Sequence, residues 1–347
     1  MLKKFSCIYI ASILLLAGCA RDILQQPIHE NTQALSAFNK SLNYVYSGKH
    51  YPLTIENTNS YGEKELLYFN KPPKRVIAVW QNSIETLLAL GVGDRIIAGN
   101  GVPDIKHILP QFQRQYSKIP YTGLQLLDLE TTMMLEPDLI VGWHSTFAPK
   151  VIRTTDFWHG RGVNTFIASN SIPNQRYKTL QNEYNDILNL GKIFDKNEEA
   201  ASIVHNMQQE IEYVTNKTAS YIKRPRVLVI EFLGKNVTVY NEKTLAGNIV
   251  EQLNGDLLGK NNHNISIEQV VDYNPDVIFV VVIEAYYGRE QSVVDRIVRH
   301  EGLQNIKCVK NKRVYPLPLY AIYSSGVRTL DGIKILSRSM YPELYEE

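Results

Sequence analysis

The sequence predicts an α/β protein with two Rossmann-like lobes, each built on a mostly parallel sheet, joined by one long helix. Three observations predict it. A chain of 347 residues exceeds what a single compact core usually organises. The stretch "LDLETTMMLEPDLIVG" at 127–142 returns in similar form as "ISIEQVVDYNPDVIFVV" at 265–281. Short β-branched runs also alternate with helical periodicity on both sides of a central helical stretch. With 44% hydrophobic and 21% charged residues, the body of the chain is neither disordered nor membrane-spanning.

At the N-terminus, Lys3 and Lys4 precede an apolar run from Phe5 to Leu16 that is short for a bilayer span. It ends in Leu16, Ala17, Gly18 and Cys19, which resembles the lipobox of bacterial lipoproteins. Charge, length, small residues and cysteine agree, which a signal anchor with an incidental cysteine does not require. We therefore expect a signal peptide over 1–18, lipidation of Cys19, and a polar tether over 19–50. Cleavage removes two lysines and no acids, so 37 − 2 = 35 basic side chains face 35 acidic ones. A neutral mature chain gives no reason to expect a nucleic-acid partner. Of three cysteines, only Cys308 remains beside Cys7 and Cys19, which excludes an intramolecular disulfide or an all-cysteine metal site in the mature body.

From Tyr51 the pattern becomes that of a folded domain. "YPLTIEN" and "KELLYF" alternate around the turn-like "NSYG", predicting a β-hairpin. Strands follow at 76–79, 96–99, 139–141 and 165–167, with a helix after the first that starts at Asn82 or Ser83 and stops at Gly91. This makes an N-terminal lobe over 51–172. Helical spacing from Tyr177 to Gly191 predicts a bridging helix over 173–195. A C-terminal lobe over 196–347 begins with a second helix, then strands at 227–232, 277–282 and 313–315, and a closing helix from about Gly326.

Aligned on Pro137 and Pro275, the repeated stretches place Asp128 and Ser266 at helix N-caps, and Ser266 with Gln269 makes a capping-box pair. Glu130 and Glu268 then fall at the second helical position, where a carboxylate is favoured by the helix dipole and the side chain faces water. On that ground alone each glutamate simply steadies its helix.

The fragments "PPKRVIAVWQNSIETLLALGVGDRIIAG", "LDLETTMMLEPDLIVGW", "ISIEQVVDYNPDVIFVV", "KNKRVYPLP" and "YSSGVRTLDGIKILSRSMYPELY" come in this order behind a lipoprotein signal. In that combination the chain, over about 51–345, resembles the periplasmic substrate-binding proteins of ABC importers for iron-siderophores, haem and corrinoids. The resemblance implies a class III bilobal fold with little lobe motion and a ligand cleft between the lobes. It also implies one exposed glutamate per lobe, here Glu130 and Glu268, docking to the two permease subunits. A protein seated across a two-subunit permease needs the same acidic handle twice.

In α/β sheets ligands lie beyond the carboxyl ends of the strands. The loops there hold Trp80, Trp143, His144, Tyr286, Tyr287, Tyr320 and Tyr323, an aromatic set suited to a chelate or macrocycle. Tyrosine is abundant throughout, at 21 residues, so some of these simply pack. No metal ligands are assigned. Arg289 and Arg328 suit an anionic ligand, although Arg328 equally suits a role inside its lobe. Glu85 is expected to face solvent or to cap a neighbour. Gly-x-Ser-x-Gly, phosphate-cradling glycine loops and His-Glu-x-x-His are all absent, so nothing supports an enzyme, and no resident cofactor is expected.

The reading is a lipid-anchored receptor on the outer side of a bacterial membrane. It captures a ferric siderophore and passes it to a permease dimer with its ATPase. A corrinoid or haem is the alternative ligand within that class, ahead of a bare metal ion; from a different class come a ligand sensor and an enzyme built on the same bilobal architecture.

Overall fold

The computed structural model describes residues 50–346 apart from 174, 234, 235, 284 and 285. The stretch expected as a signal peptide, Cys19 and all but the last residue of the expected tether lie outside the described residues.

An antiparallel hairpin opens the folded body, β1 (Leu53–Thr58) paired with β2 (Lys64–Phe69). Its alternation buries Ile55, Leu67 and Phe69 and leaves Glu56, Leu66 and Tyr68 outside. Asn57 fastens it to the N-terminal lobe: its side chain donates to the Ile167 carbonyl at 3.1 Å and accepts from the Ile167 N–H at 2.8 Å.

The N-terminal lobe then runs β3 (Val76–Val79), α1 (Gln81–Ala89), β4 (Ile96–Asn100), α2 (Pro110–Tyr116), β5 (Tyr121–Gly123), α3 (Leu129–Met134), β6 (Leu139–Gly142), α4 (Thr155–His159) and β7 (Asn164–Ile167). The five strands are all parallel, in the order β5-β4-β3-β6-β7. Their buried apolar faces pack on Phe147 and Trp158. The chain winds outward from β3 in one direction, then crosses back to place β6 on the other side, so the switch point lies between β3 and β6.

Two helices lead into the second lobe, α5 (Leu180–Phe194) and α6 (Asn197–Thr218). The helix expected over 173–195 begins only at Leu180. The Thr179 side chain accepts from the Asn182 N–H, and Asn170 of the N-terminal lobe holds Thr179 in an extended conformation from both its N–H and its carbonyl. Asp195, left-handed at φ 56°, ends the helix.

The C-terminal lobe comprises β8 (Arg226–Leu233), β9 (Asn236–Val239), α7 (Leu245–Gln252), β10 (Asp256–Leu257), β11 (Asn264–Ile265), α8 (Ile267–Tyr273), β12 (Val277–Val282), α9 (Glu290–Val298), α10 (Lys307–Lys310), β13 (Val314–Pro318) and α11 (Thr329–Met340). Its sheet order is β11-β9-β8-β12-β13, with β10 beside β8. β8, β12 and β13 are parallel, while β9 and β11 form an antiparallel edge. Every residue of β12 is buried, as expected for a central strand covered on both faces.

The repeated stretches do the same structural work in both lobes. The Asp128 side chain accepts from the Thr131 N–H, and Ser266 with Gln269 forms the capping box, so both predicted caps are present. The aspartate after each proline has a further role. Asp138 accepts from the Lys74 and Arg75 N–H groups at 2.7 and 2.9 Å, and Asp276 accepts from the Arg226 N–H at 2.9 Å. Each aspartate thus pins the start of its lobe's first central strand beside the strand it opens.

Where the lobes meet α5, two carboxylates are buried. Glu183 accepts from the Asn170 side chain at 2.6 Å and from the Gly326 N–H at 2.7 Å, linking one lobe to the other. Asp186 accepts from the Ser169 N–H and hydroxyl at 2.7 and 2.6 Å. Burial pushes Glu183 up to about 6, and burial with Glu183 nearby pushes Asp186 up to about 8. An unfolded carboxyl titrates near 4, so between about pH 4 and 8 the folded protein holds protons that the unfolded chain has released. These groups make stability fall as pH rises through that window, by at most about 1.4 kcal/mol per pH unit for each proton. Denaturant unfolding followed from pH 5 to 8 should show this slope, and Asp186→Asn should flatten it. An unaltered slope in that variant would remove Asp186 as its source.

Candidate ligand-binding cleft

Trp80 follows β3 and Trp143 follows β6, the two strands that flank the N-terminal switch point. Their indoles stack with centroids 5.1 Å apart and planes at 24°. Trp80 takes φ 73° and ψ 153°, a conformation that is close to glycine-only and costs on the order of 1–3 kcal/mol. Its N–H donates to the Asn100 carbonyl at 2.8 Å, which keeps the backbone there. Gly101, at φ 94°, makes room for the indole: a Cβ at 101 would lie 2.7 Å from the Trp80 ring. Such strain is held where a side chain must be presented in one place.

From the C-terminal lobe, Tyr323 meets Trp143 edge-on with centroids 5.2 Å apart. Between the lobes lies a cavity of about 330 Å³, whose wall includes Trp80, Trp143, Leu319, Tyr320, Tyr323 and Arg328. The indole N–H groups of both tryptophans are buried and have no hydrogen-bond partner among the described residues. Buried donors of that kind normally carry a partner; the wall that both tryptophans give to the cavity is aromatic.

Of the seven aromatic residues singled out from sequence, Trp80, Trp143, Tyr320 and Tyr323 line this cavity. Tyr287 sits just behind it, edge-on to Tyr320 at 5.6 Å and 4.9 Å from the His107 ring of the other lobe. Tyr286 is exposed and lies beside Arg289. His144 stands apart from the cavity, its Nε2 3.0 Å from the Ser60 carbonyl of the hairpin turn. Among the described residues no group of three or more His, Cys, Asp or Glu is placed to hold a metal ion.

Arg328 and Glu85 are the residues whose role was not visible in sequence. Glu85 does not face solvent: it is fully buried and forms a bidentate pair with Arg328 across the lobe boundary, at 2.6 and 2.9 Å. The other half of the expectation holds, because Glu85 also accepts from the N–H of Leu109, the N-cap of α2, at 2.6 Å. Arg328 donates further to the His107 carbonyl at 2.8 Å and to Asp331 at 3.1 Å, and its guanidinium lies 4.7 Å from the centre of the Tyr320 ring. Close approach of the lobes depends on Gly326. At φ 55° its N–H reaches Glu183, and a Cβ there would sit 2.2 Å from the Thr86 hydroxyl of α1. Only the spacing "SGVR" hinted at a special turn, since the partners of Arg328 and Gly326 are distant in sequence.

Glu130 and Glu268 are both exposed, each in the first turn of its helix. Ser266 holds the Glu268 carboxyl below its ordinary range by hydrogen bonding.

Removing one partner of the buried pair should be costly. Arg328→Met leaves a buried carboxylate without its cation and should lower apo stability by about 3–5 kcal/mol. Combining it with Glu85→Leu should recover part of that loss. Denaturant midpoints of the two single variants and the double variant test this; additive losses would show that the residues are not coupled.

Comparison with known proteins agrees with this geometry. Residues 76–321 match the family model described as periplasmic binding protein. A periplasmic binding protein of Veillonella parvula DSM 2008 has a solved structure 43% identical in sequence, with a TM-score of 0.82, covering 87% of this chain and 95% of that one. The petrobactin-binding protein YclQ of Bacillus subtilis is 26% identical over 275 residues, covering 74% of this chain and 78% of the relative. The vitamin B12-binding protein of Vibrio parahaemolyticus is 23% identical over 269 residues, covering 76% and 88%. The chain belongs to the periplasmic binding protein family and has its two-lobed class III fold.

Proposed function

We propose that the protein is a lipid-anchored receptor that captures a ferric siderophore in the cleft and delivers it to a permease dimer driven by its ATPase. The stacked Trp80–Trp143 pair, met edge-on by Tyr323 at the cavity between the lobes, carries this reading. Such a wall offers aromatic faces to the organic shell of a chelate. The similarity to a petrobactin-binding protein supports an iron chelate as ligand. Capture requires binding and release without turnover, and we assign no catalytic role to any residue.

Protein purified without denaturation should carry its ligand. Absorption and mass spectra of the released material should give a ferric charge-transfer band and the mass of an iron chelate. A corrinoid or haem spectrum would overturn the siderophore reading in favour of a macrocycle. In the same preparation, fatty-acid label should enter the wild-type protein and not Cys19→Ala.

Delivery rests on Glu130 and Glu268. Both start helices whose N-termini lie at the carboxyl ends of the parallel strands, the end that bears the cleft. Glu130→Lys with Glu268→Lys should change stability by less than about 1 kcal/mol and leave ligand affinity intact, because exposed charges contribute little to folding. Uptake should fall steeply, since two charge reversals face a basic permease surface. Normal uptake by that stable, ligand-competent variant would return both glutamates to helix capping alone.

A further inference from the structure

A second pocket, of about 870 Å³, lies on the other side of Tyr323. Tyr323 is common to both walls, so it partitions an apolar aromatic chamber from a polar one. The linker before α5 brings Arg176 and Lys178 to this second pocket, and the turn before α7 brings Lys243. The linker is fixed there because the Lys178 N–H donates to the Lys243 carbonyl at 3.1 Å. His263 faces the same space. The acid on this wall, Glu231, accepts from the Tyr240 hydroxyl at 2.8 Å.

Lys178 shows what the pocket lacks. Its ammonium lies 4.8 Å from the centre of the Tyr323 ring and is half-buried. Burial alone moves its pKa, downward, with no carboxylate among the described residues offsetting it. A half-buried cation without an acid is poorly placed until an anion arrives. The N-terminus of α7 adds to the field: Thr244 and Leu245 line the pocket, where the helix dipole is positive. Cations on two separate segments and a helix start therefore converge on one space next to the aromatic cavity.

We propose that this pocket receives an anionic arm, of carboxylate type, belonging to the same ligand whose chelate core stacks against Trp80 and Trp143. The arm passes the edge of Tyr323 and is held by Lys178 and Arg176, so the protein selects acidic chelates over neutral ones of the same size. This assignment rests on the reading of the aromatic cavity as a chelate site.

Three probes test it: a neutral ferric trihydroxamate, the same chelate bearing one free carboxylate, and citrate alone. The wild-type protein should bind the carboxylate chelate at least about tenfold more tightly than the neutral one, as expected for a charge-assisted contact in a partly desolvated pocket. In Lys178→Gln, and further in Lys178→Gln with Arg176→Gln, the ratio should approach one. If the double variant fails to fold, the single variant gives the ratio. Tight and equal binding of both chelates by the wild type, or a preference that survives the substitutions, overturns the anionic arm and leaves the chelate reading standing. Binding of neither chelate overturns both. Binding of citrate alone as tight as that of the carboxylate chelate, with the neutral chelate unbound, makes the pocket a free-anion site and likewise overturns the single-ligand proposal.

Discussion

Glu85 and Arg328 hold the site together. Their two hydrogen bonds cross from α1 to the turn before α11, joining positions 243 residues apart. Both side chains are buried, and a buried ion pair repays its desolvation only when its geometry is good and its remaining atoms are satisfied. Here they are: Leu109 completes Glu85, while His107 and Asp331 complete Arg328. The same turn places the Gly326 N–H on Glu183 and the Val327 N–H on the Thr86 hydroxyl. Lobe orientation is thereby fixed by directional polar contacts, and Tyr323, on the approach to this turn, meets Trp143 edge-on at 5.2 Å.

The aromatic part of the cleft was legible in sequence because it depends on local signals. Short β-branched runs mark β3 and β6, the residues after them must lie at the carboxyl ends of the sheet, and Trp80 and Trp143 stand there. The caps at Asp128 and Ser266 were legible for the same reason, since a capping residue reports on the three residues after it. What is settled by distant partners was not legible. Glu85 reads as an amphipathic helix position until Arg328 is placed beside it. The start of α5 depends on Asn170, nine residues before Thr179 in an unrelated turn. The short strands β5, β10 and β11 have two or three residues each and exist only because a neighbour pairs with them.

The two lobes use one device for folding and offer another for work. In each, an aspartate after a proline anchors the first central strand, and a capped helix start holds a glutamate in water at the cleft end. The folding device is satisfied internally, whereas the Glu130 and Glu268 side chains face water. Within the cleft, Gly101 and the Asn100 carbonyl hold Trp80 in a strained conformation, while its indole N–H has no partner among the described residues. Strain and an unused donor on one residue are costs that folding alone does not explain.

If the stacked tryptophans receive the ligand, their fluorescence reports it directly. The chain has three tryptophans, of which Trp158 is buried in the N-terminal core with its N–H on the Ile152 carbonyl. Titration with a ferric hydroxamate chelate should quench emission to a one-to-one endpoint, and the quenching should be largely lost when Trp80 and Trp143 are both replaced by Phe. Saturable binding with emission unchanged, or quenching that persists with Trp158 as the remaining indole, would contradict the account.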